Sequence, residues 1–487
     1  MAGNRPLSWW ITALAGGLLA GFALPPLGCP PLLWMALLPL WGLGPAAAAL
    51  WGAAAVLVSH RWLLWLHPLD WVGVPLPLSL PLCVALWLGC GLLAALLVAL
   101  WRLLVERLGP DRWGTALLAA ALWGLAEIGL ARGPLFWIGL GSASLPGDPA
   151  LAGLARLLGA GGLAALQLLI AWGLWRGFTT WRRQRSARWL GAWLLLVLAL
   201  HGIGLQQLAV AAPAGDGPWR RVLVLQPAVP TRRKFEAQQQ QLLLQRLAAA
   251  QSQAERLRAD SVLLPEGALA LEQPLPRSST VEVLSGGFRL DGDQLRSALL
   301  RFVPGEQTPS SALDKHRLVP LGEWIPGGAW LRWAGLSAVG GVEPGPASRL
   351  MRRDVSALGV AICYELADGL GLMKASRDGA RWLLASANLD PYPAQLQEQF
   401  AALAQLRAIE SGRWLVSAAN TGPSLVVDPG GVVRERMPAG HVGTALMRLQ
   451  ERSELTAYGR WGEAPLLLLG LSGTAVLLVS RVRQSRR

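Results

Sequence analysis

Two patterns of apolar residues divide the chain. Up to residue 206 the apolar runs are long, near or above the roughly 20 residues that cross a lipid bilayer. Seven spans are expected there, at about 7–24, 29–44, 46–66, 82–105, 114–132, 154–175 and 189–206, and an eighth near 463–481. The second run is short, and Arg61 stands near the end of the third. The first run has no small-residue cleavage site and reads as a retained anchor.

From 220 to 448 the pattern changes to short apolar runs separated by turns and amphipathic stretches. "RRVLVLQPAV" predicts a buried strand and "FEAQQQQLLLQRLAAAQSQAERLRAD" an amphipathic helix. "SVLLPEG", "ALGVAIC", "RWLLASAN" and "RWLVSAAN" predict short strands that end in polar or turn residues. "AQLQEQFAALAQLRAIESG" predicts a helix stopping at Gly412, and "SLVVDPGGVVRER" a hairpin with a Pro-Gly-Gly turn. Strands alternating with helices predict an α/β sheet domain.

Composition supports this division. Hydrophobic residues make up 53% and charged residues 15%, too apolar for an ordinary soluble protein. The net charge of +14 raises a nucleic-acid partner. The basic residues instead cluster between apolar runs, which points to membrane topology and no nucleic acid. With Arg5 in the cytoplasm, Arg102, Arg107, Arg112, Arg176, Arg182, Arg183, Arg185, Arg188, Arg481, Arg483, Arg486 and Arg487 fall on the same side. That pattern puts residues 207–462 outside the cytoplasm. Glu127 lies within the fifth run, and a structural pair with Arg132 is expected for it.

In an α/β domain, polar residues just beyond the carboxyl ends of strands are where a site is sought. Glu266, Cys363 and Asn388 stand there. A lone cysteine after an apolar strand is more often a small core residue. A catalytic thiol needs a base or a positive field. His316 and His441 are poorly placed by motif, so a Cys-His protease pattern is weak. Glu266 in "LLPEGAL" reads as a turn residue or as a buried general base. Only three of the 44 basic residues are lysines: Lys234, Lys315 and Lys374. That rarity draws attention to Lys315, whose compact charge suits an oxyanion, with Glu323 further along the same segment.

Glutamate, lysine and cysteine on three segments resemble the catalytic set of the nitrilase superfamily. "DKHRLVPLGEWIP", "GVAICYE" and "LRAIESGRWLVSAANTGPSLVVDPGGVV" look more narrowly like its membrane-bound branch, the apolipoprotein N-acyltransferases. "LLAGFALPPLGCPPLLWMALLPL" and "LWGLAEIGLARG" are similar to membrane segments of that family. Departures occur at Gln226-Pro227-Ala228, where the family has Gln-Gly-Asn, and at Leu389–Pro393, where it has an aromatic loop. The stretch from Glu266 to Lys315 is short for the family.

The resemblance implies a multi-pass α-helical bundle of about eight spans carrying an α/β nitrilase-like α-β-β-α sandwich. The expected units are 1–206, 207–462 and 463–487. It implies acyl transfer from a phospholipid, through a thioester on Cys363, to the N-terminal amine of a diacylglyceryl-apolipoprotein. Glu266 would be the base; Lys315 and a backbone N–H near Tyr364 would hold the oxyanion. Glu323, Tyr364, Glu365 and Asn388 would support the site or bind substrate. No metal or cofactor is implied, and a monomer in the bacterial plasma membrane with its catalytic domain on the periplasmic face is expected. The trio alone equally suits a membrane-tethered amidase acting on a small amide, although a tether needs only one span. A non-catalytic membrane scaffold would not need to keep the trio.

Overall fold

In lipid, every backbone polar group must find its partner inside the segment, so apolar runs fold as helices. The computed structural model describes residues 7–70, 73–211, 215–234, 236–320, 322–324 and 341–485. Arg5, Arg486 and Arg487 of the charge pattern, and Leu321, Ile325 and Pro326 of the lysine motif, lie outside these. The apolar helices are α1 (Leu7–Ala23), α2 (Pro30–Leu37), α3 (Pro45–Ser59), α4 (Leu76–Leu108), α5 (Trp113–Ala131), the short α6 (Pro149–Ala152), α7 (Ala155–Gln184) and α8 (Arg188–Ala211).

Among the described residues, α4, α5, α7, α8 and a C-terminal helix are long and apolar enough to cross a membrane. The first three expected spans are shorter helices. The second run changes after Leu38: Pro39 has no N–H to continue the helical ladder, and a 3₁₀ turn follows over Pro39–Trp41. The third ends at Ser59, and Arg61–Leu66 forms a 3₁₀ turn.

The remaining chain builds two six-stranded sheets. Its elements are β1 (Trp219–Gln226), α9 (Ala237–Leu257), β2 (Ser261–Leu263), β3 (Glu282–Asp291), β4 (Gln294–Phe302), β5 (Ser311–Asp314), β6 (Leu350–Met351), β7 (Leu358–Ile362), α10 (Gly369–Arg377), β8 (Trp382–Ala387), α11 (Ala394–Ser411), β9 (Leu415–Ala419), β10 (Leu425–Val427), β11 (Val433–Arg436), β12 (Gly443–Gln450), α12 (Ala457–Trp461) and α13 (Ala464–Ser485). The first sheet runs β12-β1-β2-β3-β4-β5 and the second β11-β10-β9-β8-β7-β6. β1, β2 and β3 pair in parallel, as do β7, β8 and β9. Leu243, Leu247 and Ala250 of α9 pack with Val262 and Val283 on the first sheet. α11 covers the second. This is the α-β-β-α sandwich, with the helical bundle attached. The β3–β4 hairpin had no counterpart in the strand reading, although its two-residue Gly292-Asp293 turn between apolar alternations was a legible signal. Gly292 stands at φ +60° in that turn.

α11 joins the two halves. It is buried on every side, as a helix without a solvent face must be. Phe400 stacks on Phe136, which follows α5 in the membrane part, with centroids 4.9 Å apart. Ala402, Leu406 and Ile409 pack with Leu151, Leu154 and Leu163 of α6 and α7. α7 departs from helical geometry at Gly159, φ +66°. Glu410 Oε1 accepts from the Ala160 N–H beside that break at 2.7 Å.

Glu127 corrects an expectation. Its carboxylate accepts from Trp123 Nε1 at 2.8 Å and from the Leu140 N–H at 2.9 Å. Arg132 pairs instead with Asp368, at 3.6 Å. Arg132 caps the C-terminus of α5, more than one helical turn beyond Glu127, so it reaches out of the bundle.

Helix contacts in the bundle rest on small residues. A Cβ at Gly473 of α13 would collide with the backbone of Leu118 and Gly114 on α5, whereas one at Gly191 of α8 would meet nothing within 4 Å. Gly473→Val is expected to cost about 1–3 kcal/mol through overpacking and Gly191→Val about 0.5 kcal/mol or less. Thermal melts of the detergent-solubilised variants, followed by tryptophan fluorescence, test the difference. Equal melting points would refute the close α5–α13 contact.

Candidate active site

Five loops from the two sheets converge on one ammonium group. Leu264-Pro265 follow β2 and turn Glu266 inward. Gly267 follows at φ +58°, a conformation natural to glycine, and a Cβ there would collide with Lys234 Nζ. β5 delivers Lys315 directly after Asp314. The Lys315 side chain is 0% exposed. Its Nζ donates to Glu266 Oε1 at 2.6 Å and lies 2.8 Å from Glu323 Oε2. Glu323 also accepts from the Val319 N–H at 2.9 Å. Glu266 Oε2 accepts from the Asn388 N–H, at the end of β8, at 3.0 Å.

β7 delivers Cys363, which opens a one-turn 3₁₀ helix over Cys363–Ala367. Its φ is +52°, a strained value for a residue with a Cβ. Strain of this kind costs about 1–3 kcal/mol and persists where surrounding structure imposes it. The surroundings here are well determined. The Glu365 carboxylate accepts from the Ile362 N–H at 2.8 Å, and Oε1 accepts from the His316 N–H at 2.7 Å. Arg349 Nη1 donates to the same carboxylate at 2.8 Å, and its Nη2 donates to the Asp314 carbonyl at 2.9 Å. Glu365 thus ties the lysine segment to the cysteine turn.

The electrostatics follow from burial. Burial disfavours the Lys315 charge, but Glu266 and Glu323 outweigh it and raise its pKa well above the usual lysine value. Burial raises the Glu266 carboxyl, yet Lys315 and its hydrogen bonds bring it below the ordinary value. Glu323, buried and close to the Glu266 charge, is pushed up. The Cys363 thiol is raised well above its usual value, by burial first and by the Glu266 charge second. An ionised carboxylate therefore faces a neutral thiol, with a fixed cation beside both.

The sequence reading missed Lys234. Burial lowers its pKa to about 8, partly offset by Glu266 and Glu323. The scarcity of lysine marked it as much as it marked Lys315. Also missed were Asn420 and Tyr392. Asn420, at the end of β9, donates to Asn388 Oδ1 at 2.9 Å and to the Val229 carbonyl at 2.7 Å. It thereby holds the unusual Pro227-Ala228 segment, where Ala228 has φ +46°. Tyr392, in the unusual loop after Asn388, places its hydroxyl 3.3 Å from that of Tyr364. His316 Nδ1 bonds the Gly345 carbonyl at 2.8 Å, which gives it a structural role.

Residues 275–458 match the carbon-nitrogen hydrolase family. Over 500 residues the sequence is 49% identical to the apolipoprotein N-acyltransferase of Prochlorococcus marinus (strain MIT 9313), covering 99% of this chain and 98% of that one. This chain belongs to the apolipoprotein N-acyltransferase family. It is also 48% identical to the apolipoprotein N-acyltransferase of Parasynechococcus marenigrum (strain WH8102), over 94% of this chain and 97% of that one. Among solved structures, Saccharomyces cerevisiae Nit3, a member of branch 10 of the nitrilase superfamily, is similar over 49% of this chain and 93% of its own, at 17% identity and a TM-score of 0.37. The carbon-nitrogen hydrolase match begins after Glu266, so the place of that residue in the site rests on the geometry of its contacts with Lys315 and Asn388.

A thiol held up by burial and by a carboxylate reacts slowly with alkylating agents at neutral pH, because the thiolate is the nucleophile. Iodoacetamide labelling of Cys363, read by peptide mass spectrometry, is expected to be slow at pH 7 and to climb above pH 9. Glu266→Gln removes the negative charge, lowers the thiol pKa and shifts the curve to lower pH. A plateau already reached at pH 7 in the unsubstituted protein would contradict this electrostatic account.

Proposed function

We propose that the protein transfers an acyl chain from a membrane phospholipid to the N-terminal amine of a diacylglyceryl-modified cysteine in an apolipoprotein, by way of a thioester on Cys363. The observation that carries the reading is a fully buried lysine between two carboxylates, beside a strained cysteine, in a chain of this family. Cys363 gives its proton to Glu266 and its sulfur attacks the ester carbonyl carbon. The tetrahedral oxyanion rests on Lys315 Nζ and on a backbone N–H at the start of the 363–367 turn, where helix N–H groups lack intrahelical partners. Collapse breaks the ester C–O bond, and Glu266 returns the proton to the departing lysophospholipid oxygen. In the second half the α-amine attacks the thioester carbon and loses a proton to Glu266. The C–S bond breaks and the thiol is restored. Glu323 lies 2.8 Å from the same Nζ, so one ammonium is fixed by two carboxylates. No metal or cofactor enters.

The apolar supply line supports the same reading. A cavity of about 250 Å³ is lined by Trp62, Leu66, Leu86, Phe136, Val319 and Tyr392 and reaches Tyr364, the neighbour of Cys363. It combines residues of the helical bundle with Val319, Tyr364 and Tyr392 from three loops of the site. A chain that stays there avoids the cost of about 0.8 kcal/mol for each CH₂ drawn out of apolar surroundings. We assign 1–206 and 463–487 to the membrane and 207–462 to the catalytic unit, a monomer in the bacterial plasma membrane facing the periplasm. An amidase acting on a small soluble amide would have no use for this cavity.

Incubation with a labelled phospholipid, followed by mass spectrometry, is expected to reveal an acyl adduct on Cys363. Cys363→Ser removes the adduct and the transfer. Glu266→Gln slows single-turnover acylation about 10²–10⁴-fold. Lys315→Arg slows it about 10²–10³-fold, since a planar fork cannot replace one compact charge. Normal acylation in Lys315→Arg would remove the oxyanion role from Lys315. Reporter fusions after Gln206 and at the C-terminus are expected on opposite faces of the membrane; finding both on one face would reject the orientation.

A further inference from the structure

Of the three lysines in the chain, two act on one carboxylate. Lys315 is the oxyanion cation of the proposed chemistry, and Lys234 is the other. Lys234 lies on the loop after β1, and hydrogen bonds staple that loop over the site. Asn420 accepts from the Val229 N–H at 3.0 Å and donates to the Val229 carbonyl at 2.7 Å. Asp390 accepts from the Thr231 N–H at 2.7 Å. Asn388, whose own N–H holds Glu266, donates through Nδ2 to Thr231 Oγ1 at 3.0 Å. The loop so held sets Lys234 Nζ against Gly267, the residue after Glu266, where a Cβ would come within 2.4 Å of it. The ring of Phe288 on β3 has its centroid 6.0 Å from the same Nζ.

Glu266 therefore stands under two cations. Lys315 bonds it at 2.6 Å, and Lys234 acts on it from across the Gly267 turn. Glu266 and Glu323 favour the Lys234 charge, and Lys315 opposes it. The other charged groups of the loop are engaged elsewhere. Arg233 pairs with Glu236 at 3.0 Å, Arg232 donates to the Pro68 carbonyl at 3.1 Å, and Asp390 holds the Thr231 N–H. With a pKa of about 8, Lys234 is charged at pH 7 and gives up its charge only as the pH rises past that value. In the second half of the proposed reaction the acceptor brings an α-amino group, whose pKa in water is also about 8. Only the neutral form has the lone pair that attacks the thioester carbon. A carboxylate with no cation beside it would trap the ammonium form as an ion pair. A carboxylate already shared by two cations holds a third weakly, and like charges nearby favour loss of its proton.

We infer that Lys234 selects the reactive form of the acceptor: together with Lys315 it occupies the Glu266 charge, so that the incoming α-amino group is taken as the free amine and not as the ammonium ion. The inference rests on the proposed acyl transfer and assigns Lys234 to its second half, where it acts through its charge. The proton balance agrees. The free amine forms the C–N bond and gives one proton to Glu266, the C–S bond breaks, and the departing sulfur takes that proton from Glu266. An ammonium ion would bring a further proton, which Lys234 and Lys315, both charged, do not accept.

The test uses the full-length protein in uncharged detergent micelles, with Cys363 first acylated by labelled phosphatidylglycerol. Decay of the adduct is followed by mass spectrometry at pH 7 with two nucleophiles at saturation. One is a diacylglyceryl-cysteine peptide, mostly ammonium at that pH; the other is hydroxylamine, mostly uncharged. In Lys234→Met the peptide reaction is expected to slow about tenfold, the effect of one pKa unit on the bound amine, while the hydroxylamine reaction stays within about twofold. The peptide reaction of this variant is expected to recover near pH 9.5, where the amine is neutral before it binds. Lys234→Arg keeps the charge and is expected to keep both rates. In the unsubstituted protein, a peptide with a trimethylated N-terminus, a permanent cation, is expected to compete about tenfold more weakly than its uncharged N-acetylated counterpart. Equal slowing with both nucleophiles would make Lys234 a structural residue. That outcome overturns the inference, as does an unchanged peptide rate in Lys234→Met, the same loss in Lys234→Arg, or equal competition by the two blocked peptides; each leaves the acyl-transfer reading standing. No adduct on Cys363 of the unsubstituted protein overturns both.

Discussion

An ammonium ion without water needs compensation from the protein, and Lys315 is such an ion. Moving a lone charge into a dry interior is prohibitive. Lys315 is held there by Glu266 and Glu323, at 2.6 and 2.8 Å. Those contacts require the turn after β2, the end of β5 and the segment leading to Glu323 to meet at one point. They also bring the Glu266 charge against the Cys363 thiol. Removal of any one group leaves the others buried and unbalanced, which costs more than the interaction itself contributes. The arrangement therefore holds the loops in place and sets the protonation states together. In the proposed chemistry this matters because a preoriented charge has no solvent to reorganise when an oxyanion forms.

The proposed chemistry also requires access to lipid. α11 lies between the second sheet and the helical bundle, and its aromatic contact with Phe136 continues into the apolar cavity beside Tyr364. The polar seam at Glu410, Arg407 and the broken turn of α7 sits on the same interface. The packing of the sandwich on the bundle holds the cysteine turn beside the apolar helices. Arg317, gripping one carbonyl from each side, belongs to the same seam.

Much of this was legible one segment at a time. The apolar runs predicted helices, the short runs predicted β1, β2, β7, β8 and β9, and the Pro-Gly-Gly turn predicted the β10–β11 hairpin. The strand-end rule singled out Glu266, Cys363 and Asn388, and the rarity of lysine singled out Lys315. Each of these is a local signal: a period, a turn residue, or a residue type out of keeping with its surroundings. The β3–β4 hairpin carried such a signal and was overlooked. The short second and third helices reflect Pro39 and the polar stretch at His60-Arg61, again local features.

Partnerships were settled by the tertiary structure alone. Nothing near Glu127 in the sequence points to the Leu140 N–H, and nothing near Glu365 points to Arg349 and the backbone at His316. Lys234 reaches the site only because the loop after β1 folds beside the turn at Gly267. Asn420, nearly 200 residues away in sequence, holds the backbone at Ala228 and Val229. Side-chain periodicity reports which face of an element is buried. It does not report which elements share that burial, because strand order and sheet pairing join residues distant in the chain. The sequence by itself determined the helices, most of the strands and the residue types with reactive potential. Only the packing of two sheets face to face, with a helix wedged against a membrane bundle, decided which charges compensate Lys315.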